Sequence, residues 1–463
     1  MQSKFRQPYS KRIATFLTRF QWALLILAAP FLLFPSPRRS LALLVVPVLW
    51  GIAWLATRKP LLNTPLNLPL FLMMLMVLVS LYATYDIAFS LPKIAGMVLG
   101  VGMYYALVHS ARAEKSVWVG LLVFLAAGLG IAGAGLLGTQ WFDKFAFLQP
   151  LATRIPFLIQ GLPGAESGFH PNEVAGALLW VLPLLVILVG WVFARLKRWA
   201  AQVGWGMSTA GAFLLLALTV FTAGEFVLTQ SRGGLIGLAG TLLLLLAMLF
   251  PPKERWIYII SLVIVGVGLG VAAWRLGWVE KLYAVTPAGD NPALSLNTLK
   301  GRVEVWSRAI YGIQDFPFTG MGMNTFRKVV HVLYPLFTIG PEVDFGHAHN
   351  EFLQAALDLG LPGLIAFLAL YLVAFWMLVQ TWKWAKEPAQ LSDSRSISSI
   401  LASSRGVKAL ALGLGGGLMA HAFYGLTDAV ALGAKPGVLF WMLLGLVAGL
   451  YQEQRKLREQ DIT

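Results

Sequence analysis

Hydrophobic residues fall along this chain in long runs, near 20–35, 41–57, 65–84, 91–109, 117–138, 172–194, 206–230, 233–250, 256–274, 361–382, 408–428 and 433–451. A hydrocarbon core about 30 Å thick takes roughly 20 apolar residues as helix, so each run predicts a membrane-crossing helix. That gives about twelve transmembrane helices, the first two drawn from the shortest runs. Pro30, Pro47, Pro69 and Pro183 lie inside runs, where neighbouring helices satisfy the carbonyls that proline frees. The expected fold class is an all-α polytopic membrane protein.

The polar positions between the runs set the orientation. With the N-terminus in the cytoplasm, 22 of the 36 basic residues and only seven of the 21 acidic ones lie on the inner side. The outer side is balanced, so the whole net charge of +15 is a topology signal. A nucleic-acid partner loses its support. Composition agrees, since 58% of the 463 residues are hydrophobic and 12% are charged, against roughly 25% charged in a soluble protein. Mean hydropathy is +0.72. The absence of cysteine excludes disulfides, thiolate metal sites and a cysteine nucleophile. The basic first 19 residues run into an apolar stretch without a small-residue cleavage site, which reads as a retained first span.

Two outward connectors exceed what a turn requires. Residues 1–274 carry spans one to nine with an outer loop at about 138–171. Residues 275–360 form a large outer loop, expected to be helical and to carry active-site residues. Residues 361–463 carry the last three spans with a serine-rich cytoplasmic linker at 384–407. Long outward loops in a short-looped bundle are places for function. No internal repeat of the transporter kind is visible.

Three outer-face clusters hold candidate chemistry. Thr229-Gln230-Ser231-Arg232-Gly233-Gly234 joins the seventh and eighth spans. Arg232 at a helix start would make an anion site doubly positive, and the glycines let backbone approach a ligand. A snorkelling arginine is the plainer reading, although such residues favour the inner side. In Gly301-Arg302-Val303-Glu304-Val305-Trp306, the spacing of Val303, Trp306, Ile310 and Ile313 predicts an amphipathic helix. Arg302 falls in its first turn, where a cation opposes the helix dipole, so it calls for an anionic ligand or a carboxylate such as Glu304, Glu342 or Asp344.

The third cluster runs from Gly346 through His347, His349 and Asn350 to Gly360 and Gly363. A helical pattern starting at Asn350, with Gly360 and Pro362 ending it, puts His349 just before a helix N-terminus. The dipole there favours a neutral imidazole, available as a base. His347 points to the opposite face if the segment is extended. A metal pair lacks an obvious third ligand, and Glu342-Val-Asp344 is too short a motif to supply one, so no metal is assigned. His170-Pro171-Asn172-Glu173 caps the sixth span or contacts substrate. Gly320-Met321-Gly322-Met323-Asn324 is a glycine turn with no strand before it to support a dinucleotide site. His109, His331 and His421 read as packing histidines, whereas Glu225 and Asp428, within or at the ends of spans, stay on the functional list.

His349-Asn350, nine residues, Gly360, two residues and Gly363 resemble the histidine motif in the large periplasmic loop of bacterial O-antigen ligases. The Ser231-Arg232-Gly233-Gly234 turn and the Arg302…Trp306 helix resemble the family's other two marks. The wider superfamily includes O-antigen polymerases and has a GT-C-like glycosyltransferase fold. The resemblance implies transfer of a glycan from undecaprenyl diphosphate to a lipid A–core sugar hydroxyl at the periplasmic face of the bacterial inner membrane. It implies inversion at the sugar, no metal and no other cofactor. His349 would be the general base, with Arg302 and Arg232 on the diphosphate. Ser231, Gly233, Asn350, His347, His170 and Asn172 would line the substrates. The alternative acceptor is another lipid-linked repeat unit, which would make the protein a polymerase. A small-anion or bicarbonate transporter fits less well, because the arginines sit at one face.

Overall fold

The computed structural model describes residues 9–34, 39–58, 61–114, 116–141, 146–162, 165–278, 299–385 and 403–462. Long apolar runs cannot leave their amides unsatisfied in lipid, and here they close into helices. In chain order these are α1 (Tyr9–Arg19), α2 (Gln21–Leu33), α3 (Val45–Thr57), α4 (Asn67–Ala83), α5 (Ile87–Glu114) and α6 (Trp118–Gly138). The short α7 (Gln149–Ala152) precedes α8 (Pro171–Phe193), α9 (Leu196–Val203), α10 (Trp205–Leu228), α11 (Arg232–Leu246) and α12 (Pro252–Arg275). The outer segment contributes α13 (Leu299–Asp315) and α14 (Phe326–Leu333), followed by α15 (Glu351–Trp384), α16 (Ser404–Tyr424) and α17 (Val438–Ile462). Extended pairing among the described residues amounts to two isolated bridges, Thr139–Phe169 and Leu162–Ala165.

The chain is an all-α polytopic membrane protein. Nine helices among the described residues are long and apolar enough to cross a membrane, or ten if α1 and α2, bent by 64°, act as one span. Leu41–Leu55 and Asn67–Ala83 are shorter apolar helices. Each of the twelve apolar runs therefore lies on a helix. The second is shortened because its start winds as a 3-10 turn, Arg39–Leu44. Most of the linker expected at 384–407 (386–402) and the start of the large loop (279–298) lie outside the described residues.

The centre of the bundle is α5, α8, α16 and α17, with α16 packed on α8 and α17 on α5. Trp180 of α8 and Trp441 and Phe440 of α17 are fully buried there. By contrast, α12 buries none of its residues. The segment between α12 and α15 has a small core of its own, built from Val305, Ala309, Met321, Phe326, Val330 and Phe345 with Leu357 of α15.

Two expectations need correction. The apolar stripe read from Val303 to Ile310 is not the buried face of α13, because both residues are about half exposed. The helix instead turns Arg302, Val305, Ala309 and Gly312 inward. Counting large apolar residues missed a face made of small ones and a cation. Pro362 does not end a helix. It sits in the first turn of the resumed span, where proline is well tolerated. The break is made by Gly360 alone, at φ 69° and ψ 178°. A Cβ at Gly360 would fall 2.4 Å from the Phe318 carbonyl oxygen, so only glycine fits.

Candidate active site

The starts of α8, α11 and α15 converge with the end of α16, and the three sequence clusters meet there beside Thr427 and Asp428 of the α16–α17 connector. The approach begins in α13. Arg302 and Trp306 are four apart and so share a helix face. Arg302 donates to the Thr427 carbonyl. The Trp306 indole N–H donates to the His349 carbonyl at 3.3 Å. One helix face thus holds both the aspartate-bearing connector and the histidine segment. Arg302 itself is only 8% exposed.

Two of the carboxylates suggested as partners for Arg302, Glu304 and Asp344, are engaged elsewhere. Glu304 accepts from the Phe337 and Thr338 amides and the Thr338 hydroxyl, with Arg308 at 3.8 Å. These bonds outweigh its desolvation and hold its carboxyl below the ordinary value. Asp344 pairs with Arg327 at 2.6 Å and is held low in the same way, against the opposing effect of burial. The carboxylate that Arg302 bears on is Asp428.

The histidine segment departs from the extended form expected of it. Gly346 has φ 78° and His349 has φ 48°, so the backbone turns over twice within four residues. His347 therefore does not point away from His349. The two rings lie edge to face at 4.6 Å. His347 Nε2 is 3.1 Å from Asp428 Oδ1, and His349 Nδ1 is 3.6 Å from the same oxygen. His347 Nδ1 accepts the His349 backbone N–H at 3.1 Å, which leaves Nε2–H to donate to Asp428. Both His349 ring nitrogens are buried and make no hydrogen bond to the described residues. Burial pushes the His347 imidazole well below its usual value, and the pull of Asp428 does not offset this. Burial alone would raise the Asp428 carboxyl, but the two imidazoles and Arg302 prevail and hold it well below the carboxylate range.

The remaining residues frame this cluster. Asn350 caps α15, accepting from the Phe352 and Leu353 amides at 3.0 Å each, and its side-chain N–H donates to the Leu426 carbonyl. The Ser231 hydroxyl caps α11 by accepting from the Gly234 amide at 3.3 Å. Arg232 opens that helix, and Gly233 lies against Thr427, where a Cβ would come within 2.1 Å of the threonine hydroxyl oxygen. The second motif is thereby set beside the same connector. His170 caps α8 through Nδ1, and the Asn172 carbonyl accepts the Tyr424 hydroxyl at 2.6 Å. The Asn172 contact joins α8 to the end of α16.

A cavity of about 860 Å³ adjoins the cluster. Its polar end includes His170 and His347, and its apolar end Leu25, Leu33 and Ile131 of α2 and α6. His347 is in its wall, whereas His349, Arg302 and Arg232 are not. Of the other polar residues, Glu225 is buried in α10 against Gly135 of α6, a residue in the cavity wall. His421 stacks on Trp180 at 4.1 Å, a packing role.

Sequence reasoning lacked a third ligand for the histidine pair, and the fold supplies one. His347, His349 and Asp428 offer three ligand atoms within 4.8 Å of one another, a set that a divalent ion could share. They equally form the carboxylate-oriented imidazole pair that acid–base chemistry uses. The signal for Asp428 in the sequence was only that of an ionisable residue at the end of a span.

Comparison with known proteins fits this architecture. The O-antigen ligase family matches residues 217–368, a segment that includes Arg232, Arg302 and His349. Over 175 residues the chain is 27% identical to the exopolysaccharide production protein ExoQ of Rhizobium meliloti, covering 37% of this chain and 38% of that one. Over 180 residues it is 25% identical to an uncharacterized protein of Haemophilus influenzae, covering 37% of this chain and 44% of the other. The chain thus spans less than half the length of these relatives. Its similarity to the O-antigen ligase family lies in residues 217–368.

Proposed function

We propose that the protein is a glycosyltransferase that moves a glycan from undecaprenyl diphosphate onto a sugar hydroxyl at the outer face of the bacterial inner membrane. The observation that carries this reading is the convergence of Arg302, His349 and Asp428 at one end of the bundle, with the Arg232 turn beside them. Outside the cytoplasm a nucleotide sugar is not at hand, so the activated donor arrives on lipid. Arg302 and Arg232 bind its diphosphate through their planar forks. His349, whose Nδ1 faces Asp428 and whose Nε2 makes no hydrogen bond to the described residues, takes the proton of the acceptor hydroxyl. The acceptor oxygen bonds to the anomeric carbon from the face opposite the leaving group, the carbon–oxygen bond to phosphate breaks, and the diphosphate departs with its electron pair. The arginines neutralise that charge, so the reaction proceeds without a metal, inverting the sugar.

A lipid A–core acceptor makes the enzyme an O-antigen ligase. A lipid-linked repeat unit makes it a polymerase, a second reading favoured by the similarity to an exopolysaccharide production protein. Purified protein supplied with a polyprenyl diphosphate-linked glycan and each acceptor in turn decides between them by the mass of the product. Transfer to neither acceptor would remove the transferase reading. Arg302→Ala and Arg232→Ala should each reduce transfer by more than tenfold, with lysine restoring little, because a point charge lacks the fork. EDTA should leave the rate unchanged. Loss in EDTA with recovery on adding a divalent ion would move His347, His349 and Asp428 into a metal site.

A further inference from the structure

Asp428 lies in the connector between α16 and α17, which has no regular structure around it from Leu426 to Leu432. Something must fix that connector for the carboxylate to meet the imidazoles. We infer that Glu351, the first residue of α15, is the positioning residue that sets Asp428 against His347 and His349. This rests on the proposed role of His349 as the base.

Glu351 is 1% exposed. Its carboxylate accepts the Val430 amide at 2.6 Å, the Ala431 amide at 3.0 and 3.2 Å, and the Leu432 amide at 3.2 Å. Its own backbone N–H donates to the Gly425 carbonyl at 2.6 Å. Next to it, Asn350 reaches the Leu426 carbonyl at 3.2 Å. The connector is therefore gripped on both sides of Asp428 by the two residues that follow His349. The histidine and the aspartate are registered against each other through one short piece of chain, although 79 positions separate them.

The chemistry calls for a carboxylate at this position. Three amide donors converge on two oxygens, and charge-assisted bonds of this kind are about twice as strong as neutral ones. The start of a helix also favours negative charge. Glutamine would keep one oxygen and turn an NH2 group toward donors, leaving buried amides unsatisfied. Aspartate would keep the charge but fall one methylene short.

The test compares Glu351→Gln and Glu351→Asp with wild type, Asp428→Asn and the double variant Glu351→Gln/Asp428→Asn, all as full chains in detergent. Hydrogen exchange of the peptide spanning 428–434 reads the grip without reference to catalysis. It should speed up by about tenfold or more in Glu351→Gln and by less in Glu351→Asp, while exchange in α8 and α17 stays as in wild type. Unchanged exchange at 428–434 would overturn the inference, and so would a general rise that marks unfolding shared by both variants.

Transfer from the lipid-linked donor reads the second half. A displacement of about 1 Å costs up to ~100-fold, so kcat should fall about 10–100-fold with KM for the donor little changed. Glu351→Asp should recover part of it. In the Asp428→Asn background, Glu351→Gln should cost almost nothing more, because it acts through a group already removed. Full additivity would leave Glu351 a general structural residue and overturn its positioning role. If wild type transfers nothing, the proposed function fails, and the exchange data still decide whether Glu351 holds the connector.

Discussion

His347 and His349 carry the same ring two residues apart, and their bonding divides the work. His347 spends Nδ1 on a backbone amide and Nε2 on Asp428, whereas His349 turns Nδ1 toward Asp428 and leaves Nε2 without a hydrogen bond to the described residues, which the proposed mechanism uses for the acceptor. His349→Ala should therefore reduce transfer by roughly 10²–10⁴-fold. His347→Gln should cost no more than about 10–100-fold, the worth of one hydrogen bond to a charged group. Kinetics of the two purified variants check this, and the reverse ranking would exchange their roles. A second residue-scale outcome concerns pH. The hydrogen bonds from Phe337 and Thr338 hold the Glu304 carboxyl below its ordinary value of about 4.3, so its contribution is complete above about that pH and is lost as pH falls through the lower folded value. Thermal unfolding followed from pH 6 to pH 3 should show an acid-side decline that is smaller in Glu304→Gln. At this scale the sequence offered Arg302, His349 and Arg232 as candidates, whose segments the fold brings together. It hid their geometry, because the left-handed turn at His349 and the partner Asp428 depend on contacts distant in the chain.

Among the elements, those crossing the membrane were legible because lipid forces helix on any long apolar run, whatever its neighbours. The amphipathic α13 was legible as a helix and not as an oriented one. Its inner face is set by docking of Arg302 and Trp306 on the connector and the histidine segment, which outweighs the preference of Val303 and Ile310 for burial. The junction of α10 and α11 offers a prediction at this level. Gly233 touches Thr427, so Gly233→Ala should push the connector away and cut transfer several-fold or more. Adding Thr427→Ala removes the clashing hydroxyl while retaining the carbonyl that Arg302 uses, and should restore part of the loss. Steady-state rates of the single and double variants test it, and an undiminished defect in the double variant would assign the effect of Gly233 to something other than this contact.

For the whole molecule, the fold brings to one end the parts that charge asymmetry assigned to the outer side: the loop after α6, the α10–α11 turn, the large loop and the α16–α17 connector. Sidedness can be read directly, since the chain has no cysteine of its own. A single cysteine replacing Ser394 should resist an impermeant thiol reagent in intact cells and react once they are opened, and one replacing Thr338 should react in both. Labelling of the first in intact cells would invert the assignment. One helix has a different part in this arrangement. Among the described residues α12 buries no side chain fully and is held chiefly by Arg255 and Tyr258 against the end of α11 and Phe250, so it contributes little to the cohesion of the bundle. What it supplies is parity. An unrelated apolar helix of equal length should serve in its place, whereas its deletion would deliver Arg302 and His349 to the opposite compartment from Arg232, with every helix still able to form.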